Sequence, residues 1–178
     1  MDLVVAELDS PIGPLVLATV ATVAGRDGRV AALTFGEAWP RLRRWIASRT
    51  GADPSSWRAA RGSSEPARRL RDYFAGDLSA IDGIEVEAVG TPFQHAVWQA
   101  LRGIGPGETA AYADVARRIG RPRAVRAVGL ANGANPVCVI VPCHRVIATG
   151  GGLGGYGGGL ERKRWLLAHE GALRSRCA

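Results

Sequence analysis

Cys143 and His144 are the residues of this chain best suited to chemistry. They fall in the run Val137-Cys138-Val139-Ile140-Val141-Pro142-Cys143-His144-Arg145-Val146. A short, mostly β-branched apolar segment stops at a proline, and a thiol, an imidazole and a guanidinium follow at once. β-Branched residues favour extended backbone, and proline closes a strand by removing a donor. The pattern therefore predicts a buried strand over 137–141 that emerges into a loop at Cys143. A thiol attacks as thiolate, a form favoured by a nearby imidazole or positive charge. Neighbours in extended chain point to opposite sides, so Cys143 and His144 are expected to communicate through a bend or a bridging water. His144 would want an acid to orient it, and Glu170 is the best placed in that half of the chain. Cys138 lies inside the apolar run and reads as a buried small hydrophobe. Cys177 sits in the tail with nothing around it to activate it. Zinc held by Cys138, Cys143 and His144 is not expected, because the spacing does not fit a closed structural site and no fourth ligand is evident.

The elements that must position these groups lie after residue 90. Thr91-Pro92-Phe93-Gln94 has the cap, first-turn proline and capping-box residue of a helix start. Phe93, Val97, Leu101 and Ile104 then make an apolar stripe, with Trp98 beside it, until Gly105-Pro106-Gly107. Two short helices follow, over 112–119 and 123–131, separated by Gly120-Arg121, which is a helix-turn-helix pattern. Arg117, Arg118, Arg121, Arg123 and Arg126 make this segment basic. Ala124, Ala127, Gly129 and Ala131 make its second helix small-sided, as suits close approach to a nucleic-acid surface; a solvated basic face is the alternative. A turn over 132–136 joins that helix to the Cys143 segment. The glycine-rich stretch 150–159 lacks the Lys-Ser/Thr ending of a phosphate loop and reads as a pocket wall around Tyr156. A closing helix over 160–170 ends at Gly171.

The first half reads differently. Strands are expected over 3–8, 15–23 and 29–35, with a turn at Ser10-Pro11-Ile12-Gly13-Pro14 and hairpin-turn chemistry at 25–28. Helices are expected over 40–49 and 64–74, the latter capped by Ser63 or Ser64, with a loop over 50–63 between them. A half-buried strand is expected over 84–89. There is no His or Cys among residues 1–90, and the half reads as structural. Charge changes at the same boundary: residues 1–90 hold 11 Arg against 12 Asp and Glu, and residues 91–178 hold 12 Arg and Lys against 4. All of the net +7 therefore belongs to the second half, which suggests a partner with a phosphate backbone. With 47% hydrophobic residues the chain can form a packed core. Three cysteines without a spaced framework argue against a disulfide-stapled secreted fold. The acidic N-terminus does not read as a signal peptide, and no apolar run approaches membrane-spanning length. A reducing, cytoplasmic setting without membrane contact is expected.

Taken together, Pro142-Cys143-His144-Arg145-Val146, Asn135-Pro136, Gly154-Gly155-Tyr156, Lys163 and Leu166-Leu167-Ala168-His169-Glu170-Gly171 resemble the O6-alkylguanine-DNA alkyltransferases. Thr91-Pro92-Phe93-Gln94, Val97-Trp98, Tyr112 and Arg121-Pro122-Arg123-Ala124-Val125-Arg126-Ala127-Val128-Gly129 match that family in the same order. The resemblance covers residues 91–178; before them it is looser, through Ser10-Pro11-Ile12-Gly13-Pro14-Leu15. It implies an α+β chain: a small N-terminal ribonuclease-H-like α/β domain over 1–89, then a mostly helical, winged-helix-like (helix-turn-helix) domain over 90–178. It implies that Cys143 accepts an alkyl group, that His144 takes the thiol proton through water, that Glu170 orients His144, and that Tyr112 donates to the flipped guanine. Arg126 would enter the space the base vacates, with Arg123, Ala124, Ala127, Gly129, Thr91 and Gln94 contacting DNA. Asn135 would brace the turn. Pro142, Arg145, Val146, Tyr156, Gly157 and Lys163 would form or support the pocket. Some relatives carry serine in place of Gly157, so that hydroxyl contact would be missing here. Some bind zinc in the first domain through Cys and His; this chain has neither there, so no zinc and no cofactor are expected. The implied partner is double-stranded DNA containing O6-alkylguanine, met by a monomer, with clustering along DNA left open.

Three rivals keep different parts of the pattern. A non-catalytic lesion-binding relative would keep the DNA surface but replace Cys143. A cysteine hydrolase would leave the basic helix pair unexplained, and a plain helix-turn-helix regulator would leave the Cys-His pair unexplained.

Overall fold

Strand-forming sequence opens the chain. The computed structural model describes residues 1–22, 28–60 and 64–173, which divide into two units, Met1–Val89 and Gly90–Ala178. In the first, β1 (Leu3–Leu8), β2 (Leu15–Val20) and β3 (Val30–Phe35) form an antiparallel meander. The register shifts between Ala18 and Thr19. Ser10 closes the first turn, its hydroxyl donating to the Gly13 carbonyl at 2.5 Å. The hairpin residues 25–27 lie outside the described residues. Helix α1 (Trp39–Thr50) buries Ile46 against Leu3, Ala18, Ala31 and Ala32, with Leu42 packed beside them. Helix α2 (Glu65–Phe74) is capped by Ser64, whose side chain accepts from the Ala67 N–H.

Two expectations for this unit need correction. Residues 50–63 are not simply a loop. A 3₁₀ turn over Pro54–Ser56, tied by Asp53, is followed by a two-residue strand β4 (Arg58–Ala59) parallel to β1. The exposed edge of β1 is the reason: it has backbone groups to satisfy, and the Ala60 N–H reaches the Val5 carbonyl at 2.8 Å. The sheet order is β3-β2-β1-β4. Residues 84–89, in turn, do not form a regular strand. Only Val86 bridges Val30, through the Val30 N–H to Glu85 O and the Glu87 N–H to Val30 O, each 2.8 Å.

The second unit is mostly helical. Helix α3 (Pro92–Arg102) starts in the reciprocal capping box of Thr91 and Gln94 and buries Val97, Trp98 and Leu101. Helices α4 (Tyr112–Arg118) and α5 (Val125–Gly133) pack on each other and on α3. The Trp98 indole ties α3 to α5 by donating to the Ala131 carbonyl at 2.9 Å. Gly90 is held to glycine by the same ring, because a Cβ there would lie 2.6 Å from it. Two short parallel strands, β5 (Ala110–Ala111) and β6 (Val146–Ile147), flank the helix pair, and α6 (Leu160–His169) closes the unit. This is the α+β arrangement expected, a sheet unit followed by a helical unit with a small wing.

Candidate active site

The segment from Asn135 to Val146 builds the site, and it does so by turning. The expected strand over 137–141 does not form. Val139 instead has φ 69°, and the Ile140 N–H bonds the Cys138 carbonyl at 2.8 Å, which closes a γ-turn. Positive φ in a β-branched residue stores about 1–3 kcal/mol of strain and persists only where its surroundings hold it. Here Asn135 holds it. Its Oδ1 accepts from the Val137 N–H at 3.0 Å, and its Nδ2 donates to the Val141 carbonyl at 2.8 Å. Pro142 then leads into a 3₁₀ turn over Cys143–Arg145. β-Branched composition suggested a strand, but among the described residues only Val137 makes a bridge and no ladder forms, and the Asn135 amide satisfies the backbone locally instead.

The turn packs three chemical side chains into the interior: Cys143 is 6% exposed, His144 0% and Arg145 5%. Glu170, at the end of α6 and 4% exposed, meets two of them. Its Oε1 lies 3.0 Å from His144 Nε2 and 2.7 Å from Arg145 Nη2, and its Oε2 lies 2.8 Å from Arg145 Nε. Arg145 Nη1 also donates to the Ile104 carbonyl. Burial lowers the His144 pKa, and the Arg145 and Lys163 charges act in the same direction, against the raising effect of Glu170. The imidazole is therefore neutral at pH 7, and its contact with Glu170 is a hydrogen bond from Nε2–H rather than an ion pair. That tautomer leaves Nδ1 as the acceptor. Nδ1 is buried and has no hydrogen-bond partner among the described residues.

Burial also pushes the Cys143 thiol up, partly relieved by hydrogen bonding to Asn135 and by the Lys163 charge. Cys138, 7% exposed, is raised further, again by burial. Both rest as neutral thiols at pH 7; the Asn135 amide and the Lys163 ammonium act to favour thiolate at Cys143, and the Arg162 charge and a backbone hydrogen bond do so at the more strongly raised Cys138. Lys163 is fully buried; its Nζ donates to the carbonyls of Val146, at 2.6 Å, and Gly155, at 3.3 Å. Tyr112 is half-buried at the start of α4, its pKa raised by burial and by Cys143. It lies between α5 and the glycine-rich loop: a Cβ on Gly129 would be 3.9 Å from its ring, and one on Gly154 would be 3.4 Å from its hydroxyl.

Cys143, His144, Glu170, Tyr112, Asn135, Pro142, Arg145, Val146 and Lys163 thus surround one turn, with half-buried Tyr156 on the loop over it. Gly157 is exposed and borders open space. Arg123, Arg126 and Ala127 instead face solvent, on or just before α5, with Ala124 half-buried. The side chains of Thr91 and Gln94 are engaged in capping α3. Asn132 had no assigned role in the sequence. It lies on α5, is 5% exposed, donates from Nδ2 to the Cys143 carbonyl at 3.4 Å, and leaves Oδ1 without a partner among the described residues. Its spacing four residues after buried Val128 was the signal that it faces inward. The sequence pattern also placed Arg145 merely as pocket support, whereas it shares the Glu170 carboxylate with His144.

A basic helix-turn-helix built around a buried cysteine and a carboxylate-held imidazole defines a DNA-associated protein with a thiol at its centre. Residues 92–172 match the family model described as "6-O-methylguanine DNA methyltransferase, DNA binding domain". A methylated-DNA–protein-cysteine methyltransferase of Mycolicibacterium paratuberculosis is 47% identical over 163 residues, covering 92% of this chain and 89% of that one. The Salmonella typhimurium protein of that name is 58% identical over 105 residues, 59% of this chain and 61% of its own length. Among solved structures, Mycobacterium tuberculosis OGT in complex with DNA is 42% identical with a TM-score of 0.75, covering 94% of this chain and 92% of that one. An O6-methylguanine-DNA methyltransferase from Pyrococcus kodakaraensis is 26% identical with a TM-score of 0.70, covering 95% and 99%. The chain belongs to the methylated-DNA–protein-cysteine methyltransferase family.

Proposed function

We propose that this chain repairs alkylated DNA by direct transfer, moving the alkyl group from O6-alkylguanine, and from O4-alkylthymine, to Cys143. The carrying observation is the buried Nδ1 of a neutral His144, without a hydrogen-bond partner among the described residues, on the residue next to a buried thiol, with its Nε2 fixed on Glu170. The thiol proton passes to Nδ1 through a water, and Glu170 stabilises the imidazolium that forms. The thiolate then attacks the alkyl carbon: an S–C bond forms, the C–O6 bond breaks, and its electrons move into the guanine ring. Tyr112 donates a hydrogen bond or proton to the departing base, which is released as guanine. The product thioether has no hydrolytic route back to thiol at neutral pH. Each molecule therefore acts once and needs no cofactor.

The alkyl group lies on a base within a duplex, so the base must leave the stack, at a cost of about a few kcal/mol. Arg126, exposed on α5, fills the space in the stack, and the small residues of that helix let it approach the minor groove. Phosphates are met by the surrounding arginines. The chain works as a monomer on double-stranded DNA.

The test is incubation with a duplex containing O6-methylguanine, followed by mass analysis of tryptic peptides. One stable methyl on Cys143, formed once per protein molecule, is expected. Unmodified Cys143 with lesion DNA bound would mean a non-catalytic lesion binder. Cys143→Ser abolishes transfer and leaves binding largely intact. Arg126→Ala slows repair in duplex DNA more than reaction with the free base; equal loss on both would refute its role.

A further inference from the structure

The first unit, whose sequence shows no net basic charge, is not electrostatically even. Three of its acids are paired away from α1: Glu87 with Arg29, Asp72 with Arg68, and Glu65 with Arg69. Helix α1 contains no acid. Arg41, Arg43, Arg44, Arg49 and Arg58 are all exposed, and none has a carboxylate within ion-pair distance among the described residues. At 100° per residue, Arg41, Trp45 and Arg49 share one face of α1, with Arg44 beside them. The Arg49 guanidinium lies 5.9 Å from the centre of the Trp45 ring.

A cavity of about 450 Å³ adjoins this helix, lined by Trp39, Arg43, Trp57, Arg58 and the β1 edge with Glu7. The rings of Trp39 and Trp57 are 6.1 Å apart at 41°, and Arg43 sits 5.9 Å from the Trp57 ring centre. Arg43 is held there by donating to the Pro54 carbonyl at 2.8 Å. Two acids lie beside it: Asp53, hydrogen-bonded to Ser55 and also lowered in pKa by the Arg43 charge, and Glu7 at the sheet edge, against the five arginines.

Unpaired arginines interleaved with half-buried tryptophans are the chemistry of single-stranded nucleic-acid surfaces. The guanidinium groups follow phosphates, and the indoles stack on bases whose faces are free. Duplex bases are already stacked on each other, so a duplex would use only the arginines. From this juxtaposition we propose that the α1–β4 face of the first unit is a second DNA-binding surface, specific for single-stranded segments and separate from α5.

The test uses the full chain and a fluorescein-labelled oligo-dT, read by anisotropy across a salt series. The triple substitution Arg41→Ala, Arg44→Ala, Arg49→Ala is expected to weaken oligo-dT binding at least about 10-fold. It should also flatten the log–log salt slope by roughly 2, at about 0.7 for each single-strand phosphate that is no longer neutralised. Arg43→Ala with Arg58→Ala should weaken binding comparably. An unchanged melting temperature checks that the triple variant is folded, because all three side chains are exposed. Equal affinity of wild-type and triple variant for oligo-dT overturns the proposal. So does displacement of oligo-dT by polyglutamate at equal charge, which would assign the face to an acidic protein.

Discussion

Glu170→Gln is the most searching perturbation of the site, because it keeps shape and removes charge. The carboxylate accepts three hydrogen bonds within 3.0 Å, two from Arg145 and one from His144. All three side chains are almost fully buried. A glutamine offers one acceptor oxygen and turns an NH2 toward donors. Arg145 is left as a buried cation with the Ile104 carbonyl and at most the one glutamine oxygen. Removing one partner of a buried ion pair costs about 3–5 kcal/mol. At about 2–4 °C per kcal/mol for a chain of this size, the melting temperature should fall by roughly 6–20 °C. His144 also loses the acceptor that fixes its tautomer, so transfer from O6-methylguanine DNA should slow by about 10²–10⁴. The companion is the double variant Glu170→Leu, Arg145→Met, in which neither charge is present. It should recover most of the stability and none of the rate, since apolar replacement of both partners is often near neutral. Thermal unfolding and single-turnover transfer separate the two effects. A Glu170→Gln protein melting within about 2 °C of wild type, or a double variant that regains transfer, would refute the reasoning.

Three further outcomes are expected. Burial depresses the His144 pKa, so below the ordinary value of about 6.5 the unfolded chain takes up a proton that the folded one resists. Stability from this group is intact above that pH and falls as pH drops below it. Melting from pH 7.5 to 5.5 should show the slope, and His144→Gln should flatten it. Asn132→Ala removes the hydrogen bond to the Cys143 carbonyl; at about 0.5–1.5 kcal/mol it should slow transfer about 2–10-fold while leaving DNA affinity unchanged in an anisotropy titration. Gly154→Ala places a Cβ 3.4 Å from the Tyr112 hydroxyl at φ 66°. It should cost about 1–2 kcal/mol and slow transfer, and an unchanged rate would mean that Tyr112 can shift without consequence.

The sequence by itself determined a good deal. Period-2 and period-3.6 apolar patterns, a capping box at Thr91 and Gln94, and glycines at the turns are local signals, and the helices and the three-stranded meander follow from them. Cys143, His144 and Tyr112 stood out because their types and motif are distinctive, and the fold brings them around one turn. Tertiary structure decided what depends on partners far away in the chain. The Val137–Val141 segment had strand composition and became a strained turn, because the Asn135 side chain, rather than a neighbouring strand, satisfies its backbone. The β4 strand exists only because β1 leaves an edge open. Arg145 and Glu170 are 25 residues apart, and no periodicity links them; folding brings both to His144 and so sets its proton affinity. Charge counted along the first half nearly cancels, yet α1 carries arginines and no acid, and three of the acids pair elsewhere. Local propensity writes the elements into the chain, whereas burial, desolvation and charge pairing exist only once distant residues meet.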